Sequence, residues 1–461
     1  MKMKQWLCAS LLSFLAGAGL VQAGYPQVIQ VQAPAEAAPA PAAPPKVMPQ
    51  ATQPAQPIVI APNGSYDCTS CSSCSSCFQD DCGGCGPRMW FGADYLLWWV
   101  KNGPLPTPLV TTGPAGAGAA FPDAGAIGTP GTAVLLGGAD IDYGELHGAR
   151  LTVGAALRGN VGVEVSGFFL GRTTYNADLA SSATTALFTP LNVVGVGEVG
   201  VPIGLPAGAF GLGILPALPG TVNFSSSTEL WGAEANAVWG VGGRFQVLAG
   251  FRYLDLQEDA QMTAVLSTPP LGGLIGGLPL GALSLATFDN FATRNQFYGV
   301  NLGGKVSFGS DALSADIIGK VALGTMQQRV SANGSLALGL PVGGVPLAIT
   351  APGGRFVQST NGGSFDKDDF CAVPELEIRV GYRVTSWLRA TIGYNILYIS
   401  DVVRPGEQID RTLSLGSVPV IQAIQAFGPL GGLGGPGSPV MPLESTDFWA
   451  QGVNFGLHAS W

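Results

Sequence analysis

The sequence predicts an all-β protein: a closed antiparallel transmembrane β-barrel of about ten strands, with long Gly/Pro-rich extracellular loops and a disordered N-terminal tether. Three observations predict it. The chain is apolar and glycine-rich, with 47% hydrophobic residues, 11% charged residues and 68 glycines in 461, where an ordinary soluble domain carries about 25% charge. From Arg88 onward the hydrophobic pattern has period two and no sustained helical period. The alternating segments are joined by tight turns and long inserts in strict succession, the layout of an outer-membrane barrel.

Residues 1–23 read as a cleaved secretory signal. Lys2 and Lys4 precede an uncharged run, Gln5 to Leu20, and Val21-Gln22-Ala23 supplies a small-residue cleavage pattern. The apolar run is shorter than the roughly 20 residues of a membrane-spanning helix. Residues 24–66 form a Pro/Ala-rich linker. Gly24 to Pro62 alone holds ten prolines and ten alanines, a composition that favours extended polyproline II and buries no core. Residues 67–87 form a Cys-rich segment with Cys68, Cys71, Cys74, Cys77, Cys82 and Cys85. The C-x-x-C spacing suits thiolate ligation of zinc or an iron–sulfur cluster, whereas export favours disulfides or cross-links between chains. Spacing alone does not choose among these.

The barrel occupies residues 88–461. Its ten strands are expected at 88–101, 145–158, 160–174, 228–241, 243–259, 290–308, 312–330, 371–385, 386–402 and 446–461. Tight turns at Arg158-Gly159-Asn160, Gly242-Gly243, Gly309-Ser310 and Thr385-Ser386 join alternate pairs, which puts both barrel termini on the short-turn, periplasmic side. Each strand presents two faces. Trp231, Ala233, Ala235, Ala237 and Trp239 suit lipid, and Gly232, Glu234 and Asn236 suit the lumen. Leu376, Ile378, Val380, Tyr382 and Val384 oppose Glu375, Glu377, Arg379, Gly381 and Arg383; the strand from Trp387 repeats the pattern. In lipid every backbone polar group needs an internal partner, so such a sheet must close. A soluble sandwich would need more charge for its surface. A helical span is opposed at Val201 to Val222, which holds four prolines and five glycines.

These strands also carry recognisable wording. Trp90-Phe91-Gly92-Ala93-Asp94-Tyr95-Leu96-Leu97-Trp98-Trp99, followed by Pro104 to Gly113, resembles the opening of the beta-barrel porin 7 family of planctomycete outer-membrane barrel proteins. Gly250 to Asp259, Phe291 to Gly303, Val402 to Thr412 and Asp447 to Leu457 look like its later blocks, in order. The resemblance covers Arg88 to Trp461 and implies an outer-membrane barrel. A porin label describes a fold and does not by itself establish transport.

If alternation defines the lumen, its acids are Asp94, Glu164, Glu234, Asp316, Glu375 and Glu377. Its bases are Arg150, Arg252, Lys305, Lys320, Arg379, Arg383 and Arg389. Charge is nearly balanced, and barrels near ~8 strands are filled by side chains while aqueous porins have about 16–18. The expected function is therefore a porin-like passive channel with a narrow or plugged lumen. The alternative is a structural or adhesive surface protein that uses the barrel as an anchor. The inserts 175–227, 260–289, 331–370 and 403–445 are rich in Gly, Leu, Val and Pro, and are expected to pack over the mouth or meet cell-wall or surface-protein partners. Trp461 ends the last strand on an aromatic, resembling the terminal signal read by barrel-assembly machinery.

Catalytic signals are poor, and neither an enzyme nor a cofactor is expected. The two histidines fall apart, His147 near the loop end and His458 near the short-turn end. Gly195 to Gly200 spells a dinucleotide fingerprint without the helix that must follow it. Asp140 and Asp142, or Asp366, Asp368 and Asp369, read as solvated loop acids without a full calcium-loop pattern. The net charge of -9 argues against nucleic acid.

Overall fold

The computed structural model describes residues 89–461 except 115–122, 158–159, 208, 210–216, 242–243, 270–281, 283, 311, 343–344, 415 and 417–436. The expected signal, linker and six-cysteine segment lie outside the described residues. Sixteen strands follow in order: β1 (Met89–Val100), β2 (Val110–Thr112), β3 (Ala133–Leu136), β4 (Glu145–Ala156), β5 (Val161–Ala180), β6 (Leu187–Val193), β7 (Gly197–Gly204), β8 (Gly220–Gly240), β9 (Phe245–Ser267), β10 (Ser284–Gly309), β11 (Leu313–Val342), β12 (Val345–Pro352), β13 (Gly363–Arg383), β14 (Leu388–Val403), β15 (Thr412–Leu413) and β16 (Ser445–Ser460).

Ten of these close into an antiparallel barrel in the order β1, β4, β5, β8, β9, β10, β11, β13, β14, β16. The seam joins first strand to last, from Trp90 opposite Ser460 to Val100 opposite Ala450. Met89 and Trp461 exchange backbone hydrogen bonds at one end of the seam, at 3.0 and 3.1 Å. Lys101 and Asp447 pair at 2.5 Å at the other. Closure satisfies the backbone inside the wall, which is the condition for a sheet in hydrocarbon.

The alternation sets the register of faces. On β8, Trp231 and Trp239 are 37% and 60% exposed on the outside, while Glu234 and Asn236 are buried inside. Phe245, Phe308, Tyr382, Trp387 and Trp461 add exposed aromatics near the short turns, and Trp99, Tyr298 and Tyr398 add them higher up. At ~3.3 Å per residue and a ~40° tilt, the stretch from Trp239 to Trp231 covers roughly 20 Å of height, close to an outer-membrane apolar band.

All ten expected strands are present, but several run further at the long-loop end. β11 has 30 residues, and β9 and β10 reach Ser267 and Ser284. Parts of inserts 175–227, 260–289 and 331–370, expected as loops, are therefore strand. The physical reason is the outer face. Above the aromatic belt it no longer has to be apolar, as Gln257, Asp259, Gln261 and Thr263 on β9 show, so alternation fades while the backbone ladder continues.

The interior also departs from a uniformly polar lumen. Leu96, Trp98 and Val100 point inward from β1 and are buried, with Leu254, Phe297, Met326, Val373 and Leu397 in one apolar cluster. Phe356 and Val357 from the β12–β13 connection join that cluster, as do Leu187, Leu191 and Val193 of β6. A five-stranded sheet of β2, β3, β6, β7 and β15 forms in the connections. The fingerprint-like Gly195 to Gly200 is the β6–β7 hairpin turn and the start of β7, with Gly195 and Gly197 at φ 84° and 101°.

Candidate functional site: the barrel interior

The interior has three levels. The middle level is a layer of ions whose bonds cross the bore. Arg150 on β4 donates to Glu377 on β13 at 2.9 Å, although three strands separate them around the wall. Arg252 on β9 binds both Glu234 on β8 and Glu375 on β13. Lys320 on β11 reaches the same two carboxylates, at 2.7 and 3.3 Å. Arg379 closes the layer from below, 2.6 Å from Glu377. Asn395 donates to Glu375 at 2.7 Å and Asn301 to Glu234 at 3.1 Å.

Arg150, Arg252 and Lys320 thus balance Glu234, Glu375 and Glu377, all with side chains under a tenth exposed. Buried charge survives only when paired and hydrogen-bonded, so no member can leave alone without stranding another. Several polar atoms in and below this layer lack a protein partner: Asp94 Oδ2, Asn236 Nδ2, Arg252 Nη1, Asn301 Oδ1, Asn395 Oδ1 and Asn454 Nδ2.

Toward the short turns the inner wall opens to solvent. Asp94 accepts from or pairs with His458 Nε2 at 3.0 Å. Trp90 Nε1 donates to Glu164 at 2.9 Å. Lys305 pairs with Asp316 at 3.1 Å, and Ser307 donates to Asp316 at 2.7 Å. Arg383 and Arg389 face each other across β13 and β14 at the rim, below the crossing bonds. Of the thirteen lumen candidates, eight therefore meet in or directly beneath the crossing layer: Arg150, Glu234, Arg252, Lys320, Glu375, Glu377, Arg379 and, through His458 rather than an arginine, Asp94. Glu164, Lys305 and Asp316 pair nearer the short turns, and Arg383 and Arg389 lie at the rim.

Toward the long loops the bore is filled by the apolar cluster and by two buried polar bolts. Arg404, with no exposed surface, makes a two-pronged contact with Glu258 at 2.8 and 2.6 Å. It also donates to the Asn102 carbonyl at 2.6 Å and lies 5.3 Å over the Phe448 ring. A 3-10 turn, Pro405–Gln408, follows, and Gln408 Nε2 donates to the Glu444 carbonyl at 2.7 Å. In the second bolt the Asp289 carboxylate accepts the backbone N–H groups of Arg355, Phe356 and Val357 at 2.8–2.9 Å. Arg355 donates onward to Thr287 and Thr189. Burial pushes the Asp289 carboxyl above its ordinary range and brings the Arg355 guanidinium down to about 10.

Neither bolt was among the sequence candidates. One had a signal in the sequence: Arg355 is the only charged residue between Arg329 and Asp366, inside an apolar, Gly/Pro-rich stretch, and such a charge needs a partner; Arg404, among Asp401, Glu407, Asp410 and Arg411, carried no such mark. His147 lies on the outer wall, its Nδ1 2.6 Å from the Tyr95 hydroxyl, so the two histidines occupy opposite faces of the wall. Of the acids expected in loops, Asp142 accepts the Gly144 N–H, but Asp366, Asp368 and Asp369 lie on strand β13, where Asp366 pairs with Arg329 and Asp369 with Lys367.

The chain belongs to the family described as Putative beta barrel porin-7, whose model matches residues 90–461. No curated protein matches the sequence. Among solved structures it is similar to the outer membrane protease OmpT from Escherichia coli, at 9% identity and TM-score 0.33, over 81% of this chain and 97% of that one. It is also similar to a Pseudomonas aeruginosa FadL homologue, at 10% identity and TM-score 0.19, over 81% and 90%. A third is a mutant of the monoaromatic hydrocarbon channel TodX, at 8% identity and TM-score 0.17, over 82% and 90%.

Proposed function

We propose that this member of the porin-7 family is an exported outer-membrane barrel whose resting lumen is plugged, and that it serves as a structural surface protein. The barrel is the anchor, and the folded crown of long connections is what it presents. The observation that carries this reading is the pair of closures in series: ions bonded across the bore, and a dry apolar cluster above them. The reading is non-enzymatic. The short turns and both barrel termini lie in the periplasm, and Trp461 at the end of β16 is the handle for barrel-assembly machinery.

A second reading, passive passage through a narrow channel, is favoured by one observation. The unpartnered polar atoms along the bore are groups that water would satisfy. Liposome swelling separates the two. Purified protein reconstituted into liposomes and challenged with a small sugar should give no swelling above empty liposomes; rapid swelling would replace the anchor reading with the channel.

A further inference from the structure

We propose that the outer wall above the aromatic belt is a docking face for the uncharged sugar chain of an outer-leaflet glycolipid. The inference rests on the outer-membrane orientation proposed above and not on whether the bore conducts. It starts from strand register. Asn176 on β5 stands opposite Ser225 on β8, and Ser225 opposite Gln261 on β9. Gln261 stands opposite Asn290 on β10, and Asn290 opposite Asn333 on β11. Five adjacent strands therefore carry one unbroken row of amides and a hydroxyl, about 19 Å long at ~4.8 Å per strand step. The chain neighbours Phe224, Met262, Phe291 and Ala332 are buried, which turns the row outward, and all five of its members are half-buried or exposed.

Three features set this row apart from an ordinary wetted sheet. It holds no charge. Asparagine is depleted in strands, yet three of the five positions carry it. Among the described residues none of the five makes a side-chain hydrogen bond, whereas one row higher Asn223 donates to Asp178 at 2.7 Å. An open amide offers both donors and an acceptor, and a sugar hydroxyl answers both. Phe288, one row above Asn290 on the same outer face and half-buried, adds a ring for the apolar face of a sugar.

Height assigns the partner. Along β8 the row lies above Trp231 by the stretch from Trp231 to Ser225, roughly 15 Å at ~3.3 Å per residue and a ~40° tilt. Between the belt and the row come ion pairs: Arg294 with Asp255 and Arg329 with Asp366, both at 2.6 Å, and Arg172 with Asp259. Each of these cations is answered by an acid, so this level favours neither sign of headgroup. Selection falls on the amide row, at a height that only a headgroup of several sugars reaches. The row is continuous with the lipid-facing wall, so a glycolipid seated on the belt by its acyl chains carries its sugars to it.

The test places the full-length protein in lipid nanodiscs doped with a neutral trihexosyl diacylglycerol or with a monohexosyl one of the same acyl chains. Native mass spectrometry reads the bound glycolipid. The trihexosyl lipid should be held roughly a hundredfold more tightly than the monohexosyl one. Asn290→Ala should reduce that preference about fivefold, the loss of one neutral hydrogen bond. Adding Gln261→Ala and Asn333→Ala should remove most of it and leave the monohexosyl lipid unaffected. Heat-modifiable gel migration shows that each variant folds. Equal retention of the two lipids, or an undiminished preference in the folded variants, would overturn the proposal. So would competition by free trihexose at the concentration of the glycolipid, which makes the ligand a soluble sugar. Loss of self-association in the variants without loss of glycolipid makes the occupant a second copy, and overturns it as well. Orientation is read separately, by labelling Asn176→Cys in intact cells with a membrane-impermeant maleimide. Label above that of the unaltered protein is expected. Its absence refutes the outward orientation, whereas a lost sugar preference with labelling intact refutes the sugar contact alone.

Discussion

Arg404 shows what a single side chain does in this barrel. Its guanidinium is sealed from solvent, and Glu258 is equally sealed at the far side of their two bonds. Arg404→Ala leaves Glu258 as an uncompensated buried charge, which costs about 3–5 kcal/mol. The double change Arg404→Met with Glu258→Met removes both charges and should cost much less. Limited proteolysis of the reconstituted protein checks this: cleavage between 404 and 414 should appear in the single variant and largely disappear in the double one. Glu407, three residues on, carries a prediction of opposite sense. Its Oε2 is buried without a partner, and burial raises its carboxyl above the usual range despite nearby Arg404. Because the folded state holds this proton more tightly than the unfolded one, stability falls as pH rises from the ordinary glutamate value through the raised one. Glu407→Gln should therefore gain about 1 kcal/mol at neutral pH, the cost of one unsatisfied buried oxygen. The gain should vanish in acid, below the ordinary glutamate value, as thermal unfolding at two pH values will show.

At the scale of elements, the strands were legible and their partners across the bore were not. Period-two alternation located every barrel strand because lipid and lumen impose opposite demands on neighbouring residues. It also placed Glu234, Arg252, Glu375 and Glu377 on the inner face. It could not show that Arg150 meets Glu377 rather than a neighbour on its own side, since that depends on how the cylinder closes. Nor could it follow β9, β10 and β11 beyond the aromatic belt, where the pattern that marks a strand is no longer required. The β12–β13 connection illustrates the harder case. Its turn is fixed by Asp289, 66 to 68 residues earlier, through three backbone N–H groups. Nothing local in Gly353 to Val357 announces that partner. Asp289→Ala would orphan those three donors at roughly 1–3 kcal/mol each. The expected outcome is fast hydrogen exchange at Arg355, Phe356 and Val357, with the amides of the barrel seam, such as Met89 and Trp461, unchanged. Asp289→Asn should be intermediate, since it keeps an acceptor and loses the charge.

At the scale of the whole molecule, the two closures proposed for the bore would obey different physics, and that determines how each would fail. The ion layer is held by opposite charges in a site shielded from water. It weakens when one sign is removed, and it touches the packing above it where Arg150 lies 5.6 Å over the Trp98 ring. The crown is held by apolar burial and two polar bolts. Its failure exposes surface to water but leaves the ions in place. Barriers in series do not add like parallel supports: passage needs both to be open. Glu375→Gln with Glu377→Gln should therefore leave liposomes as tight to a small sugar as the unaltered protein. The same holds for Arg404→Ala with Asp289→Ala, although its 404–414 segment becomes protease-sensitive. Only the fourfold combination should permit measurable swelling, and then at a low rate, because ten strands enclose a bore that side chains nearly fill. Swelling in the ion-layer variant alone would mean that the crown does not seal. Swelling in the crown variant alone would mean that the crossing ions do not. The same four preparations run on gels with and without heating show whether each barrel remains closed, so that leakage through an unfolded wall is not read as transport through the bore.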